Sequence, residues 1–299
     1  MSALFRTWPE RAPAALDIGL LPIRDRACLR LLDRYESATA EQLAVLVHPT
    51  LRTSQRRLHR LWRLGLLERS PLMPEHGGIP MAYRLSRLGR SRLGAVDPRV
   101  ASAARLRHSL DIIWVTASLI GWSEERELAY GMEPLVQVTL SESQTAGILG
   151  PSLRPDSIIA LQSDPFSGVL CVEVDEATER SAVIRAKLDA YATHLRARAG
   201  WHVLFVVPSR DRLEWLLRAT GWNHWPGLVG RCWGVVLPEL RILGADAVAT
   251  PVACRGEPRP LLAVLDDPRP RRCPTPVGSD EWVELLATGG GEDVSEALH

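Results

Sequence analysis

The chain has 299 residues, of which 46% are hydrophobic and 24% charged, a balance that is typical of globular proteins and excludes a mostly disordered chain. No apolar run approaches the ~20 residues of a membrane-spanning helix, and the first residues resemble no secretory signal, so we expect a cytoplasmic protein with no membrane partner. Five cysteines without a CxxC pair argue against a disulfide scaffold and a zinc ribbon.

The charge is divided unevenly along the chain. Residues 1–108 carry 19 arginines and nine acidic residues, for a net charge of +10, whereas residues 109–299 carry a net charge of −9. The first part is therefore expected to attract polyanions, and the second is not. Lysine occurs once, at Lys187. A single ammonium group is either an accident of composition or marks a site where a guanidinium cannot serve.

Residues 18–96 are predicted to form a small helical module. Apolar residues recur at helical spacing over Ile23–Tyr35, which predicts a first helix. Thr39 followed by Gln42 is a capping-box pattern and predicts the start of a second helix. A third helix is expected to end near Leu64.

Two short strands are predicted after the third helix. They are Leu66–Arg69 and Met81–Leu85, on either side of a segment rich in Pro and Gly, and Gly65 suits the left-handed position that ends the helix. Three helices and a two-stranded wing are the layout of a winged helix-turn-helix. The run at 52–69 resembles the recognition helix of that module, which continues through a glycine into the first wing strand.

Five arginines on the third helix are the candidate DNA-binding residues. Four of them recur at i, i+4, i+8 and i+11 on the outward face and a fifth flanks them: Arg52, Arg56, Arg60, Arg63 and Arg57. A guanidinium at each turn can neutralise phosphates as a helix enters the major groove, so we predict binding to double-stranded DNA. The alternative is a solvated helix face on a module that contacts other proteins.

Residues 100–250 have an α/β pattern with a mixed sheet. Strands are predicted at Glu127–Gly131, Leu135–Leu140, Ser157–Leu161, Val169–Val174, Val203–Val207 and Trp233–Leu237, and helices at Ala101–Ile120, Glu179–Ala199 and Arg210–Thr220. Beyond this segment, Pro, Gly, Asp and Arg dominate, and we expect a partly disordered tail over residues 251–299.

Three carboxylates are predicted to meet at one end of this sheet. Asp156 precedes one apolar strand, and Glu173 and Asp175 project together from the end of the next, because side chains two residues apart point to the same side of a strand. Asp156 joins them if the two strands are neighbours. Three carboxylates so close together repel one another unless a cation binds between them, and Mg²⁺ prefers oxygen ligands of this kind. Lys187 follows on a helix, one turn before Tyr191.

These residues resemble the PD-(D/E)xK nuclease superfamily. With the winged helix, RPD at 154–156, VEVDEATER at 172–180 and the K-L-x-x-Y pattern that starts at Lys187, the chain also resembles the replication-relaxation family of plasmid and mobile-element proteins. This resemblance implies a restriction-endonuclease-like mixed sheet flanked by helices. It also implies cleavage of phosphodiesters with Mg²⁺ or Mn²⁺.

The resemblance carries roles over to particular residues. Asp156, Glu173 and Lys187 would be catalytic, and Asp156, Glu173 and Asp175 would hold the metal. The superfamily has lysine two positions after the glutamate, where this chain has Asp175. Either Lys187 supplies the charge from the helix, or the domain is a scaffold that does not cleave DNA.

The sequence leaves other interpretations open. Asp156 after proline is also typical of a turn, and Glu173 and Asp175 could be solvated acids paired with Arg180 and Arg185. The functions compatible with these patterns are a mobile-element protein that nicks DNA, a replication or transcription regulator with a degenerate nuclease fold, and a protein-interaction module built on the tryptophans of the last third. The implied partners are double-stranded DNA and either a second copy of the chain or other proteins of the element.

Overall fold

The structure is a computed structural model, and the residues it describes fall into two compact units that divide between Ala117 and Ser118. The described residues are 17–72, 80–95, 102–130, 136–141, 145, 148–149, 153–163, 166–196, 198, 200–221, 225–254 and 256–264. No helix within these ranges has both the length and the apolar character needed to cross a bilayer. We call residues 17–117 the first unit and residues 118–264 the second unit.

The first unit combines helices with a small antiparallel sheet. Its elements are α1 (Ile23–Tyr35), β1 (Ala38–Thr39), α2 (Ala40–Leu46), α3 (Leu51–Arg63), β2 (Leu67–Pro71), β3 (Met81–Leu85), α4 (Arg87–Leu93) and the first part of α5 (Ala103–Tyr130). The strands lie in the order β1-β3-β2. The sequence predicted two strands here. The third, β1, is only two residues long and is defined by its pairing of Ala38 with Tyr83 and Thr39 with Ala82.

Local signals set the ends of these helices. Thr39 Oγ1 accepts a 3.2 Å hydrogen bond from the Gln42 backbone N–H, and Gln42 Oε1 accepts a 2.8 Å bond from the Thr39 N–H, which confirms the capping box. Thr50 caps α3 by accepting a 3.2 Å bond from the Thr53 N–H. Gly65 has a φ of 72°, the left-handed conformation predicted after α3.

The apolar faces of α1 and α3 are part of the core of the first unit, together with buried residues of α2, the small sheet and α5. On α1, Ala27, Leu31 and Tyr35 are buried as the periodicity predicts, whereas Ile23, at the start of the helix, is 38% exposed. The inward residues of α3 are Leu58, Leu61 and Trp62. Because these residues occupy one side of α3, its opposite side faces solvent.

The second unit is a mixed sheet with helices. Its elements after α5 are β4 (Val136–Ser141), β5 (Ser157–Ser163), β6 (Phe166–Val174), α6 (Ser181–His194), β7 (Trp201–Val207), α7 (Arg210–Thr220), β8 (Cys232–Val236), α8 (Leu237–Leu243), β9 (Val248–Pro251), β10 (Arg259–Pro260) and α9 (Leu261–Val264). The strand order is β10-β9-β8-β7-β6-β5-β4, with the two-residue β10 at one edge.

The pairing directions explain the burial of the central strands. β4, β5 and β6 are antiparallel neighbours, whereas β6, β7 and β8 are parallel and are connected through α6 and α7. All seven residues of β7 are buried, as expected for a parallel strand covered on both faces. Because β5 and β6 are antiparallel, the end of β6 and the start of β5 lie at the same end of the sheet.

Two segments differ from the sequence-based expectation. The strand predicted at Glu127–Gly131 is wrong, because α5 continues to Tyr130. Glu, Leu and Ala in this stretch favour helix, and extending an existing helix needs no new nucleation. The predicted tail starts at the last residue of β9, and residues 256–264 add β10 and α9, with Leu261 and Val264 buried. Residues 265–299 lie outside the described residues.

Candidate functional site

Asp156 and Glu173 lie close together at one end of the sheet. Asp156 immediately precedes β5, whose first residue, Ser157, pairs with Val172, the residue before Glu173 in β6. The Asp156 carboxylate also contributes to the raised pKa of Glu173, as a close negative charge does.

Backbone contacts fix the position of Asp156. Its N–H donates a 3.0 Å hydrogen bond to the Val172 carbonyl, and its Oδ2 accepts a 2.7 Å bond from the Val174 N–H. Thr145 Oγ1 donates a 2.9 Å bond to the carbonyl of Pro155, which precedes Asp156. The half-buried Asp156 carboxylate is therefore held at the end of the sheet.

Glu173 is the buried centre of the site. Its side chain is 2% exposed, and Lys187 Nζ lies 2.7 Å from Oε2 while Tyr191 Oη donates a 2.6 Å hydrogen bond to Oε1. Burial raises the pKa of Glu173 to about 7; the Lys187 charge opposes this rise and the Asp156 carboxylate adds to it. Glu173 can therefore change its ionisation near neutral pH.

Lys187 reaches the site from α6. It lies one helical turn before Tyr191, so both side chains project from the same face towards Glu173. Its Nζ also lies 2.8 Å from Glu179 Oε1. Burial alone would lower the pKa of Lys187, but the two carboxylates outweigh it and hold the pKa above its ordinary value. The group is therefore an ammonium at neutral pH.

Asp175 does not join these residues, although the sequence predicted that it would help hold a metal. Arg212 Nε lies 2.7 Å from Asp175 Oδ2 and Arg212 Nη2 lies 3.1 Å from Oδ1, so the carboxylate is held by a bidentate ion pair. Arg212 also lies over the Trp215 ring at 3.6 Å. Arg185, one of the partners considered for these acids, donates instead to the carbonyl of Ala219.

A divalent cation fits only part of the predicted ligand set. Among the described residues, no three His, Cys, Asp or Glu side chains are close enough to hold a metal together. Two carboxylates remain, Asp156 and Glu173, and Mg²⁺ is often held by one or two carboxylates with several waters. Although both oxygens of Glu173 accept hydrogen bonds, each carboxylate oxygen has a second lone pair.

The arginines of α3 fall into two groups. Arg52, Arg56, Arg60 and Arg63 are exposed on the solvent side of the helix. Arg57 instead forms a bidentate ion pair with the fully buried Asp25 of α1, with a distance of 2.7 Å between Nε and Oδ1. Four guanidinium groups are thus presented to solvent, and the fifth connects two helices.

Comparison with known proteins gives one clear match. The model of the replication-relaxation family matches residues 29–206, more than half of the chain. The chain belongs to the replication-relaxation family. The matched region contains the exposed arginines of α3 and the residues Asp156, Glu173 and Lys187.

The other comparisons add little to this family assignment. No curated protein matches the chain. A structure of the restriction endonuclease FokI is similar at 16% identity with a TM-score of 0.27, over 73% of this chain and 43% of that one. A likeness at this score carries no argument about fold or activity, and the chain spans less than half of that protein.

Three further residues lie beside the site. Helical spacing already placed Tyr191 on the same face as Lys187, although no role was assigned to it. Glu179 and Arg212 had no usable local signal, because their contacts depend on the packing of α6 and α7. The tryptophans considered as a contact surface include Trp201 and Trp233, which are buried in the second unit.

Proposed function

We propose that this chain is a DNA-binding protein of a plasmid or mobile element that nicks or cleaves DNA with Mg²⁺ during replication or relaxation. The observation that carries the proposal is the contact between Lys187, the only lysine of the chain, and the buried Glu173, with the Asp156 carboxylate close by. A lysine beside two carboxylates at the end of a sheet is the arrangement that the PD-(D/E)xK resemblance implies. Membership in the replication-relaxation family supports the biological setting.

In this proposal the first unit is a winged helix-turn-helix that docks on double-stranded DNA. Its support is the order of helices and antiparallel strands and the exposed arginines of α3, in a segment of high positive charge. Positive side chains on one helix face neutralise phosphates whatever the base sequence. The acidic second part of the chain would hold DNA weakly by itself, so docking by the first unit would supply most of the affinity.

The residues of the second unit would divide the chemistry among them. Asp156 and Glu173 would hold Mg²⁺, which when bound supplies Lewis-acid polarisation of the phosphodiester. The Lys187 ammonium would stabilise negative charge that develops on the phosphate. Tyr191 would orient the Glu173 carboxylate through its hydrogen bond.

The test is conversion of a supercoiled plasmid that carries the DNA around this chain's own gene. We expect the wild-type protein to produce open circles with Mg²⁺ or Mn²⁺. Asp156→Ala should abolish cleavage, as should Asp156→Asn, which keeps an acceptor for the Val174 N–H. Lys187→Met should slow it by about 100-fold or more.

A matched control and two outcomes make this experiment decisive. Glu214→Gln removes an exposed acid of α7 and should leave cleavage unchanged. Failure of the wild-type protein to cut its own DNA with either metal would contradict the proposal. Cleavage that persists in Asp156→Ala would contradict it equally.

A second candidate function is a regulator that binds DNA without cutting it. The observation that favours it is the pairing of Asp175 with Arg212 at the position where the nuclease pattern has lysine. Such a protein would use the second unit for dimerisation or partner binding. It should bind DNA in a salt-sensitive way with no dependence on metal, and calorimetry should detect no Mg²⁺ binding.

A further inference from the structure

Lys187 is shared between two carboxylates that differ in their surroundings. Its Nζ atom lies 2.7 Å from Glu173 Oε2 and 2.8 Å from Glu179 Oε1. Glu173 is buried in β6, whereas Glu179 lies in the connection between β6 and α6 with 27% of its side chain exposed. The ammonium thus bridges the buried site and a carboxylate near the surface.

Glu179 has unused capacity to accept hydrogen bonds. Its Oε2 atom is buried and accepts none from the described residues. Its backbone is held in place, because Arg212 donates a 2.7 Å hydrogen bond to the Glu179 carbonyl. An ammonium has three donors, so Lys187 can give a second hydrogen bond to Glu179.

A divalent cation and the Lys187 ammonium would compete for the same carboxylate. Both are positive, and their repulsion grows as water is excluded from the site. If the Lys187 ammonium moved away from Glu173 and had no other partner, its own partly buried positive charge would be uncompensated. Glu179 supplies that partner, and its Oε2 atom can accept the hydrogen bond that Lys187 would otherwise donate to Glu173.

We propose that Glu179 is a positioning residue that keeps Lys187 at the site when a divalent cation occupies Asp156 and Glu173. In the metal-free protein Lys187 neutralises Glu173, and on metal binding it shifts to Glu179 without leaving the site. This inference rests on the metal site proposed above. It assigns to Glu179 a role that neither the sequence pattern nor the family match provides.

The single lysine makes this inference directly measurable. Labelling the full-length protein with ¹⁵N-lysine gives one side-chain ammonium signal in an NMR spectrum, which belongs to Lys187. In the wild-type protein we expect Mg²⁺ to shift this signal without broadening it. In Glu179→Gln we expect Mg²⁺ to broaden the signal through exchange with water, and calorimetry to show about a tenfold loss of Mg²⁺ affinity.

Glu176→Gln is the matched control. It removes the same charge from the same connection without removing either of the two carboxylates that contact Lys187, so its Mg²⁺ affinity and ammonium signal should resemble those of the wild-type protein. Glu179→Asp keeps the carboxylate and should restore part of the affinity. A sharp ammonium signal from metal-free Glu179→Gln, in which Glu173 still pairs with Lys187, shows that the variant is folded.

The outcomes separate this inference from the proposed function. If the wild-type protein binds neither Mg²⁺ nor Mn²⁺, the metal site is absent and both proposals fail. If the wild-type protein binds Mg²⁺ and Glu179→Gln binds it equally well, only the role of Glu179 is overturned. Equal losses in Glu179→Gln and Glu176→Gln would also overturn it, because a general charge effect would then explain both.

Discussion

Glu173 is the residue whose ionisation controls the candidate site. Its side chain is almost fully buried and lies close to the Asp156 carboxylate. The Lys187 ammonium and the Tyr191 hydroxyl offset part of the cost of burying its negative charge. Burial raises its pKa to about 7, compared with 4.5 for an ordinary glutamate. The charge of the site therefore changes within the pH range in which cells operate.

The raised pKa of Glu173 predicts how stability depends on pH. Between pH 4.5 and 7 the unfolded chain has lost this proton while the folded chain keeps it, so the contribution of Glu173 to stability falls as the pH rises. The fall should amount to ~3 kcal/mol over that window. Denaturant unfolding of the wild-type protein and Glu173→Gln at several pH values would measure it.

The comparison with Glu173→Gln isolates this one group from the others that titrate. The difference in free energy of unfolding between the two proteins should change across the window and level off above pH 7. Glu214→Gln should reproduce the wild-type profile. A constant difference between the wild-type protein and Glu173→Gln would show that Glu173 ionises at its ordinary pKa.

Asp175 has a structural role in place of the metal-binding role that its position suggested. Its side chain is 1% exposed and that of Arg212 is 10% exposed, so removal of either partner leaves a buried charge. We expect Asp175→Ala to lower the free energy of unfolding in EDTA by about 3–5 kcal/mol. Glu214→Gln, an exposed acid on the same helix as Arg212, should change it by less than about 0.5 kcal/mol. Stability that drops only when metal is present would restore Asp175 as a ligand.

At the scale of single elements, the arginines of α3 have two different environments. Four arginines on one side of α3 are exposed to solvent. Arg57, beside them, forms an ion pair with the buried Asp25 of α1. The apolar residues of α3 decide which arginines face outward, and the ion pair holds Arg57 against α1. This explains why five arginines with similar spacing are not equivalent.

Adjacent arginines of α3 should therefore respond differently to substitution. Arg57→Gln leaves Asp25 buried without its partner and should lower the free energy of unfolding by about 3 kcal/mol. Arg56→Gln should change it by less than about 0.5 kcal/mol but weaken DNA binding. Thermal unfolding and gel-shift titration would measure the two effects, and similar stability losses in both variants would contradict this division of roles.

At the scale of the whole molecule, the charge asymmetry predicts that the proposed DNA affinity belongs to the first unit. Each arginine that contacts a phosphate contributes about −0.9 to the slope of log affinity against log salt concentration. Replacing both Arg52 and Arg56 with Gln should reduce the slope by about 2. Arg218→Gln, which removes a guanidinium that is 70% exposed in the second unit, should leave the slope unchanged. Equal effects of these changes would place DNA binding elsewhere.

Much of the first unit was predictable because its signals are local. The capping box at Thr39, the glycine after α3 and the apolar face of α1 each act within one or two helical turns. The strand β1 was not predictable, because two residues carry no periodic pattern and form a strand only by pairing with β3. The strand wrongly predicted at Glu127 shows the same limit, since a short apolar stretch is ambiguous without its neighbours.

The sequence by itself determined the order of the chemical groups: a carboxylate before one strand, a carboxylate at the end of the next, and a single lysine on the helix that follows. Only the tertiary structure decided which groups meet, so that Lys187 contacts both Glu173 and Glu179 while Asp175 is paired with Arg212, 37 residues further on. The physical reason is that helix and strand propensities act between near neighbours. A buried ion pair, in contrast, forms wherever packing brings two opposite charges together and removes water from both.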